Sequence, residues 1–473
     1  MHKRTLFLII VSFLFIFQIS FAQTDNSIAT QKFSVDALKK DFQTWRNTLE
    51  KTHANLYLYT SKERLDIVLD SMYQNITQPM TALEFYAYIT PLVAIIKDGH
   101  NYVHPSDALM EYYNKHELFF PFHVTYLDMK LLIDMNLSAD STIAAGSEIS
   151  SINGVSSEKI WNELIRRQPR DGNNETYPTW ILNNWFREYY SYVFGHPTIF
   201  DLEIKTSQNN SYKVNVAARN KDTIYSIRKT KYPERTFAND YEKPIEWKQL
   251  STNKTAILAI KTFSGKVKKK YHQPFKKTLK QAFNEFKNNQ TENIILDLRD
   301  NQGGSQMYGI ALVSYFLDQP FQFSNEIYGV KKGLASDEKD RLKQKSSHLT
   351  KLHKPNKQHF SGNVYVLING GSFSASAMVS TCLQVNKRVV FIGEETGGNS
   401  TVLTGTFTAK TKTTLPNTQI ICDKPDYKII YKDIMLNDGH GVYPEYTVQP
   451  TIQDIIDNKD VALNYALELI RNK

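Results

Sequence analysis

The sequence predicts an α/β protein preceded by a helical region and a β-rich region, and three patterns carry that reading. From Thr255 onward, runs of β-formers alternate with amphipathic helical stretches, the mark of an α/β layer fold. Between Phe33 and Pro105, apolar residues return every three or four positions, the helical period. Between Leu118 and Ala218, the short runs FHVTYL, KLLIDM, SEISSI and IFDLEIK alternate or mass β-formers.

The first residues stand apart from all three. MHKRTLFLIIVSFLFIFQISFAQ places His2, Lys3 and Arg4 before an uncharged apolar run and then Ser20-Phe21-Ala22. That is the order of a secretory signal peptide over residues 1–22, with cleavage expected after Ala22. An uncleaved membrane anchor is the rival reading, and the small residues at the cleavage point favour removal. No cysteine follows the run, so a lipid-modified terminus is not indicated. The expectation is an exported protein, periplasmic or extracellular, with no stable membrane insertion after cleavage. Loss of this segment takes away Lys3 and Arg4 and no acid, lowering the formal charge from +9 to +7.

Residues 23–117 read as an N-terminal helical domain. Leu38, Phe42, Trp45 and Leu49 form one stripe, and Leu65, Val68, Leu69 and Met72 another. Thr81 suits the N-cap of a further helix running through Ile96, and Gly99 suits its C-terminus or a tight turn. Residues 118–225 read as a β-rich domain with helical pieces at 157–167 and an aromatic-rich insert around 177–194. Residues 219–250 look polar and connecting.

Residues 226–473 read as one larger domain. TAILAIKTF is a strand, residues 274–289 a helix, and NIILDLR a strand buried on both faces. Residues 303–317 read as helix, VYVLING and RVVFIGE as strands, the stretch to about Thr451 as hairpins, and 459–470 as a closing helix. The polar, Lys-rich residues 318–360 are too long for a plain connection and read as a lid, insertion or mobile loop.

Composition narrows the function classes. Hydrophobic content of 41% and charged content of 22% belong to globular chains, which excludes wholesale disorder. The Lys-rich residues 266–280 fall on the solvated face of an amphipathic helix, and no nucleic-acid partner is expected. Two cysteines, Cys382 and Cys422, do not make a disulfide scaffold, although one bridge between them is open. No CxxC, HExxH or clustered His/Asp spacing calls for a metal, and no cofactor is expected.

The candidate chemistry centres on INGGSFSASAMVSTCLQ, residues 368–384, where an apolar strand gives way to a helix. Such a junction leaves backbone N–H groups unpaired at the positive end of the helix dipole. A serine there can act as a nucleophile beside an oxyanion site, or merely cap the helix. Ala375, Met378, Val379, Cys382 and Leu383 make the buried stripe, so Cys382 reads as a core thiol. Upstream, Asp297-Leu-Arg-Asp-Asn-Gln-Gly303-Gly304 allows a sharp backbone turn after a buried strand. It lacks the lysine and spacing of a P-loop.

Taken together, DLRDNQGG, SxSA about seventy residues later, GEETGGN and GVYPE resemble the tail-specific, C-terminal-processing serine peptidases and the related tricorn core proteases. Asp98-Gly99-His100 resembles that family's DGHT element, with Asn101 in place of Thr, and GSEISSING resembles a strand and turn of its PDZ-like domain. The resemblance spans roughly Phe33 to Thr451. It implies a ClpP/crotonase-like core for residues 226–473, a PDZ-like domain for 118–225, and a polypeptide or peptide substrate. It also implies Ser374 as nucleophile, with an oxyanion hole from the N–H of Ala375 and that of Gly303 or Gly304. Where tail-specific members carry a lysine base, twenty-five residues after the serine, this chain has Asn399. The tricorn-like branch instead implies His100 as general base and an acid at Asp438, where that branch has glutamate. A serine hydroxyl needs such a base near neutral pH, and a carboxylate fixes the imidazole tautomer.

Alternatives stay open on the residues alone. His440 and His104 compete as base, and Asp438 also suits a plain turn in Asn437-Asp-Gly. Lys410 or Lys412 could serve as a displaced base. A catalytically inactive protein binding a peptide or apolar ligand on the same scaffold is the rival to a peptidase. Leu118–Met135 contains no glycine, unlike the loop by which PDZ modules hold a terminal carboxylate, so the middle domain is expected to bind extended segments or to cover the site.

Overall fold

Six strands form the sheet on which the C-terminal half is built, in the order Ile245–Gln249, Thr255–Ile260, Asn293–Asp297, Asn363–Ile368, Val390–Gly393 and Tyr446–Thr447. The first pair is antiparallel and every later pair parallel. This computed structural model describes residues 28–208, 210–235, 237–238, 240–266, 270–329, 348–405, 412–431 and 438–473. The signal segment expected at residues 1–22 and residue Lys410 lie outside them.

All five residues of Asn293–Asp297 are buried, as expected for a parallel strand covered on both faces. Helices Phe275–Asn288, Gln306–Val313 and Ala375–Val385 pack on one face through Phe283, Leu312 and Val379. Helix Val461–Arg471 packs Ala462, Ala466 and Ile470 on the other, against Ile295, Tyr365 and Leu367. The α/β class expected from the alternating pattern is the one found, and the expected division of the Lys-rich stretch holds for its helical part, from Phe275 onward. Helix Phe275–Asn288 buries Phe275, Leu279, Phe283 and Phe286 and leaves Lys276, Lys277 and Lys280 exposed. Cys382 and Cys422 are both buried and unbridged.

Near the N-terminus, helices Val35–Thr52 and Lys62–Gln74 start at Ser34 and Ser61, whose side chains cap them. Thr81 and Glu84 form a full capping box. The helix expected from there to Ile96 is two helices, Ala82–Ile89 and Pro91–Ile96, because Pro91 has no N–H to continue the ladder and becomes the first residue of a new one. The C-cap in left-handed conformation is Lys97 (φ 60°), not Gly99. Gly99 is required for another reason. A Cβ there would stand 2.8 Å from Asp171 Oδ1 and from the Phe373 ring.

The β-rich middle is an antiparallel sheet in the order Phe122–Leu127, Lys130–Asn136, Glu148–Ile152, Ile199–Lys205 and Ser211–Ala217, with Val155–Ser156 off Glu148–Ile152. Helix Thr176–Phe194 bridges this sheet to the larger domain. Asn183 Oδ1 accepts from Tyr126 N–H (2.9 Å) and Arg187 donates to Phe122 O (3.1 Å), occupying backbone groups of the edge strand. At its other end, Trp180 Nε1 donates to Asp300 Oδ1 (2.7 Å) and Thr176 Oγ1 to Glu395 O (3.1 Å).

Residues 219–250, expected to be connecting, contain helix Lys221–Lys231 and edge strand Ile245–Gln249. Helix Asp107–His116 also escaped the sequence reading. Of the excursion expected at 318–360, residues 330–347 lie outside the described ones. Its flanks are ordered pairs: Phe321–Gln322 with Leu352–His353, and Glu326–Gly329 with Tyr427–Ile430.

Candidate active site

Two loops at the carboxyl ends of adjacent parallel strands meet here, the usual place for a ligand in an open α/β sheet. One follows Asn293–Asp297 and the other Asn363–Ile368; they are joined by Asp300 N–H to Asn369 Oδ1 (2.9 Å) and Phe373 N–H to Asn301 O (3.1 Å). Ser374 stands between the second loop and helix Ala375–Val385 with φ 54° and ψ −121°. That conformation is strained for a side chain with a Cβ, by about 1–3 kcal/mol, and it is the elbow geometry that projects a hydroxyl out of a strand-to-helix turn. Ser374 holds the N-cap position, yet its side chain makes no capping hydrogen bond.

The neighbouring serines are occupied otherwise. Ser372 Oγ donates to Leu298 O (2.9 Å), and Ser380 Oγ donates to Ser376 O (3.1 Å) inside the helix. Ser376 is fully buried.

His100 reaches the same point from the N-terminal helical region, with Nε2 3.0 Å from Ser374 Oγ. The segment after it is fixed to the hairpin of the larger domain, where His104 pairs with Ile421, Val103 with Cys422, and Asp423 N–H donates to Tyr102 O. Gly303 (φ 93°) packs against the elbow so closely that a Cβ would stand 2.7 Å from both Ala375 N and Ser374 Cβ. Its N–H is donated to Asn301 Oδ1 (2.9 Å). Among the described residues no acceptor takes the N–H of Gly304 or of Ala375, the first residue of its helix.

Asp438 is not brought to His100, which corrects the expectation for the acid. It is exposed, and its carboxylate accepts from His440 N–H (3.0 Å) in a short turn of its own. His440 is likewise elsewhere, with Nδ1 3.1 Å from Glu395 Oε1. Lys412 Nζ faces Asp423 at 3.7 Å.

The acids beside His100 are Asp98 and Asp171, neither of which sequence reasoning assigned a role. Thr404 Oγ1 lies 3.4 Å from His100 Nδ1 and donates to Asp98 Oδ1 (2.7 Å), which also accepts the His100 N–H (2.8 Å). On the far side, His53 Nδ1 accepts from Asn55 N–H, so its Nε2 carries the proton and faces Asp98 Oδ2 at 3.4 Å. Asp171 accepts from Gly99 N–H (2.7 Å) and Asn399 N–H (3.1 Å). Asn399, in the place of the missing lysine, is therefore a buried structural link. Asp98 lay within the DGH element, where a signal was available; Asp171 and Thr404 had none, being single polar residues in unrelated segments.

Burial lowers the pKa of His100 to about 4, with Asp98 opposing that shift. Burial, with Asp98 adding to it, raises Asp171 to about 7 against the two backbone donors. Asp98, His100 and Asp171 offer ligand atoms within 4.8 Å of one another. Their geometry is that of a hydrogen-bonded cluster, since both Asp171 oxygens and Asp98 Oδ1 already accept from N–H or O–H donors.

Residues 254–433 match the sequence model of Peptidase family S41. Over those residues the chain is similar to peptidase family S41. The match takes in the Gly303 loop, Ser374 and Thr404; His100 lies outside it. Comparison with curated proteins finds no sequence match. Among solved structures, mature CPAF complexed with lactacystin is similar over 93% of this chain and 99% of its own, with TM-score 0.66 and 15% identity. Mature CPAF without that ligand gives TM-score 0.60 and 16% identity over 93% and 98% of the two chains. A putative peptidase from Parabacteroides merdae ATCC 43184 covers 93% of this chain and 97% of its own at 15% identity, with TM-score 0.49. At such identities the two CPAF structures speak for the fold, and they do so beyond the matched residues 254–433, across nearly the whole chain. No helix among the described residues is long and apolar enough to cross a membrane.

Proposed function

We propose that this protein is an exported serine peptidase in which Ser374 attacks the scissile carbonyl and His100 is the general base. The observation that carries the reading is the 3.0 Å approach of His100 Nε2 to Ser374 Oγ at a strained elbow heading a helix. With Nε2 taking the serine proton, Nδ1 must hold the other, and Thr404 Oγ1 is the group that faces it. Thr404 donates its own proton to Asp98, so the carboxylate fixes the imidazole tautomer through a hydroxyl instead of directly. The N–H groups of Ala375 and Gly304 are the donors left to hold the oxyanion, while Gly303 supplies the space beside them. His100 passes the serine proton to the leaving amine as the C–N bond breaks; water then gives a proton to His100 and attacks the acyl-enzyme, and His100 returns that proton to Ser374 Oγ as the acid leaves.

A fluorophosphonate probe tests this. The protein should be labelled, Ser374→Ala should lose all labelling, and His100→Ala should label slower by a factor of about 10²–10⁴. Labelling that survives Ser374→Ala overturns the assignment. Tight peptide binding without any labelling, from acid to mildly alkaline pH, would identify a binding protein on a peptidase scaffold.

A further inference from the structure

The helix Thr176–Phe194 does more than join two parts of the molecule. Its face carrying Tyr177, Ile181, Trp185, Tyr189 and Tyr192 recurs at helical spacing and lines a cavity of about 570 Å³ with Ser374 and His100 in its walls. Tyr102 and Phe373 add two more rings. The helix breaks at Trp185 (φ −132°, ψ 31°), and beside the break the Asn184 side chain donates to the Trp180 carbonyl (2.8 Å). The break lets the two halves of the helix follow the cavity wall.

These rings are held in place before any ligand arrives. Tyr177 stacks on Phe373 with centroids 4.0 Å apart, the Tyr102 and Tyr177 hydroxyls pair, and Trp180 meets Trp185 edge-on at 5.4 Å. Charge in the cavity is already compensated. Its two carboxylates face lysines outside it, Glu188 with Lys221 at 3.0 Å and Asp423 with Lys412 at 3.7 Å, and no Lys or Arg is among its described walls. A larger cleft of about 760 Å³, with Asp297, Arg299 and Asp460 among its walls, is charged and does not include Ser374.

We propose that this cavity is the specificity subsite of the peptidase, taking a bulky apolar side chain, preferentially aromatic, next to the scissile bond. The proposal rests on the reading of Ser374 as nucleophile. Its volume lies within the range of pockets that bury a small ligand, about 300–1,000 Å³, and so suits a large side chain with part of its neighbour. Aromatic walls in offset and edge-on arrangements favour a ring in the substrate over an aliphatic chain of equal area. A cationic side chain would have to compete with Lys221 and Lys412 for the two carboxylates.

The test uses blocked octapeptides of Ala and Ser carrying a single Phe, Leu, Arg or no large residue. Binding is measured by calorimetry on the Ser374→Ala protein, so that it stands whether or not Ser374 is the nucleophile; fluorophosphonate labelling of the unsubstituted protein reports that separately. The Phe peptide should bind about tenfold or more tightly than the peptide without a large residue, with Leu between them. In the same background Trp185→Ala and, independently, Tyr189→Ala should shrink that ratio to about threefold or less and leave the small-residue peptide unchanged. With the unsubstituted protein, mass spectrometry should place cuts beside Phe. Equal binding of all peptides, tightest binding of the Arg peptide, or a ratio indifferent to both substitutions overturns the subsite. Loss of labelling with the Phe preference intact would instead overturn the catalytic reading alone.

Discussion

At the scale of single residues, the site separates groups that sequence alone treats alike. Four serines share one short stretch, and only Ser374 has the backbone and the partner of a nucleophile. The acid is where the two levels of reading part. Asp438 stands in the expected place along the chain but holds its own turn together, while Asp98, two residues before His100, reaches that ring through Thr404. Thr404→Val keeps shape and removes the hydroxyl, so the labelling rate should fall by about 10²-fold, and Thr404→Ser should restore most of it. Asp98→Asn should lower it at least as far, and Asp438→Ala should leave it within about twofold. Equal losses at Asp98 and Asp438 would sink the Thr404 relay. The pH dependence follows from burial of the base. His100 must be neutral to accept a proton, and its pKa lies at about 4, below the ordinary 6.5. Labelling should therefore persist as pH falls through 6.5 and be lost only near 4; an acid limb at 6.5 would show that the base is another group.

At the scale of elements, close approach fixes the loops. Gly99 brings the DGH segment onto Asp171 and the Phe373 ring, where a Cβ would meet atoms at 2.8 Å. Asp171 cannot yield, being held by Gly99 and Asn399 N–H, and Phe373 is stacked on Tyr177. Gly99→Ala should cost about 1–3 kcal/mol in urea unfolding and displace His100 from Ser374, lowering the labelling rate more than the loss of folded protein accounts for. Unchanged labelling and stability in the Gly99→Ala protein would mean that this contact is slack.

For the whole molecule, His100 comes from the N-terminal helical region and Ser374 from the end of a central-sheet strand, so the proposed pair exists only when the two are docked. Buried Asp41 of helix Val35–Thr52 accepts from Asn417 N–H (2.9 Å), Thr418 N–H (2.8 Å) and Thr418 Oγ1 (2.6 Å) of the larger domain, and Leu415, Ile420 and Cys422 join the helical core. Titration near this junction links pH to stability. His100 and His104 both have pKa values of about 4, so between 6.5 and 4 the unfolded chain binds protons the folded one refuses. Their contribution is present above 6.5 and is lost as pH falls through that window. Asp171, at about 7 against an ordinary 3.8, acts in the opposite sense, its contribution being lost as pH rises across that interval. Two histidines against one carboxylate leave a net loss toward acid of about one proton, roughly 1.4 kcal/mol per pH unit. His104→Gln should flatten the slope of unfolding free energy against pH by about that amount; an unchanged slope would remove His104 from the linkage.

The sequence by itself determined the features that depend on neighbours along the chain. The period of Leu38, Phe42, Trp45 and Leu49 gave a helix, the Ile294-Ile295-Leu296 run within NIILDLR gave a strand covered on both faces, and Thr81 gave a capped start. Motif resemblance then carried the reading to Ser374, His100 and the Gly303-Gly304 loop, each of which lies in a short contiguous run of the sequence. Local pattern was weaker at the short edge strand Ile245–Gln249, which buries only Ile245 and takes its backbone partners from Thr255–Ile260. Only the tertiary structure decided what faces what. Thr404 meets Asp98 across 306 residues of chain, Asp171 meets Asn399 across 228, and Tyr177, Trp185 and Tyr189 share a cavity with Ser374 only because their helix is pinned between two sheets. Hydrogen-bond direction and burial are set by that packing. An aspartate linked to a histidine through a threonine and an aspartate that closes a turn are therefore identical in sequence and distinct in space.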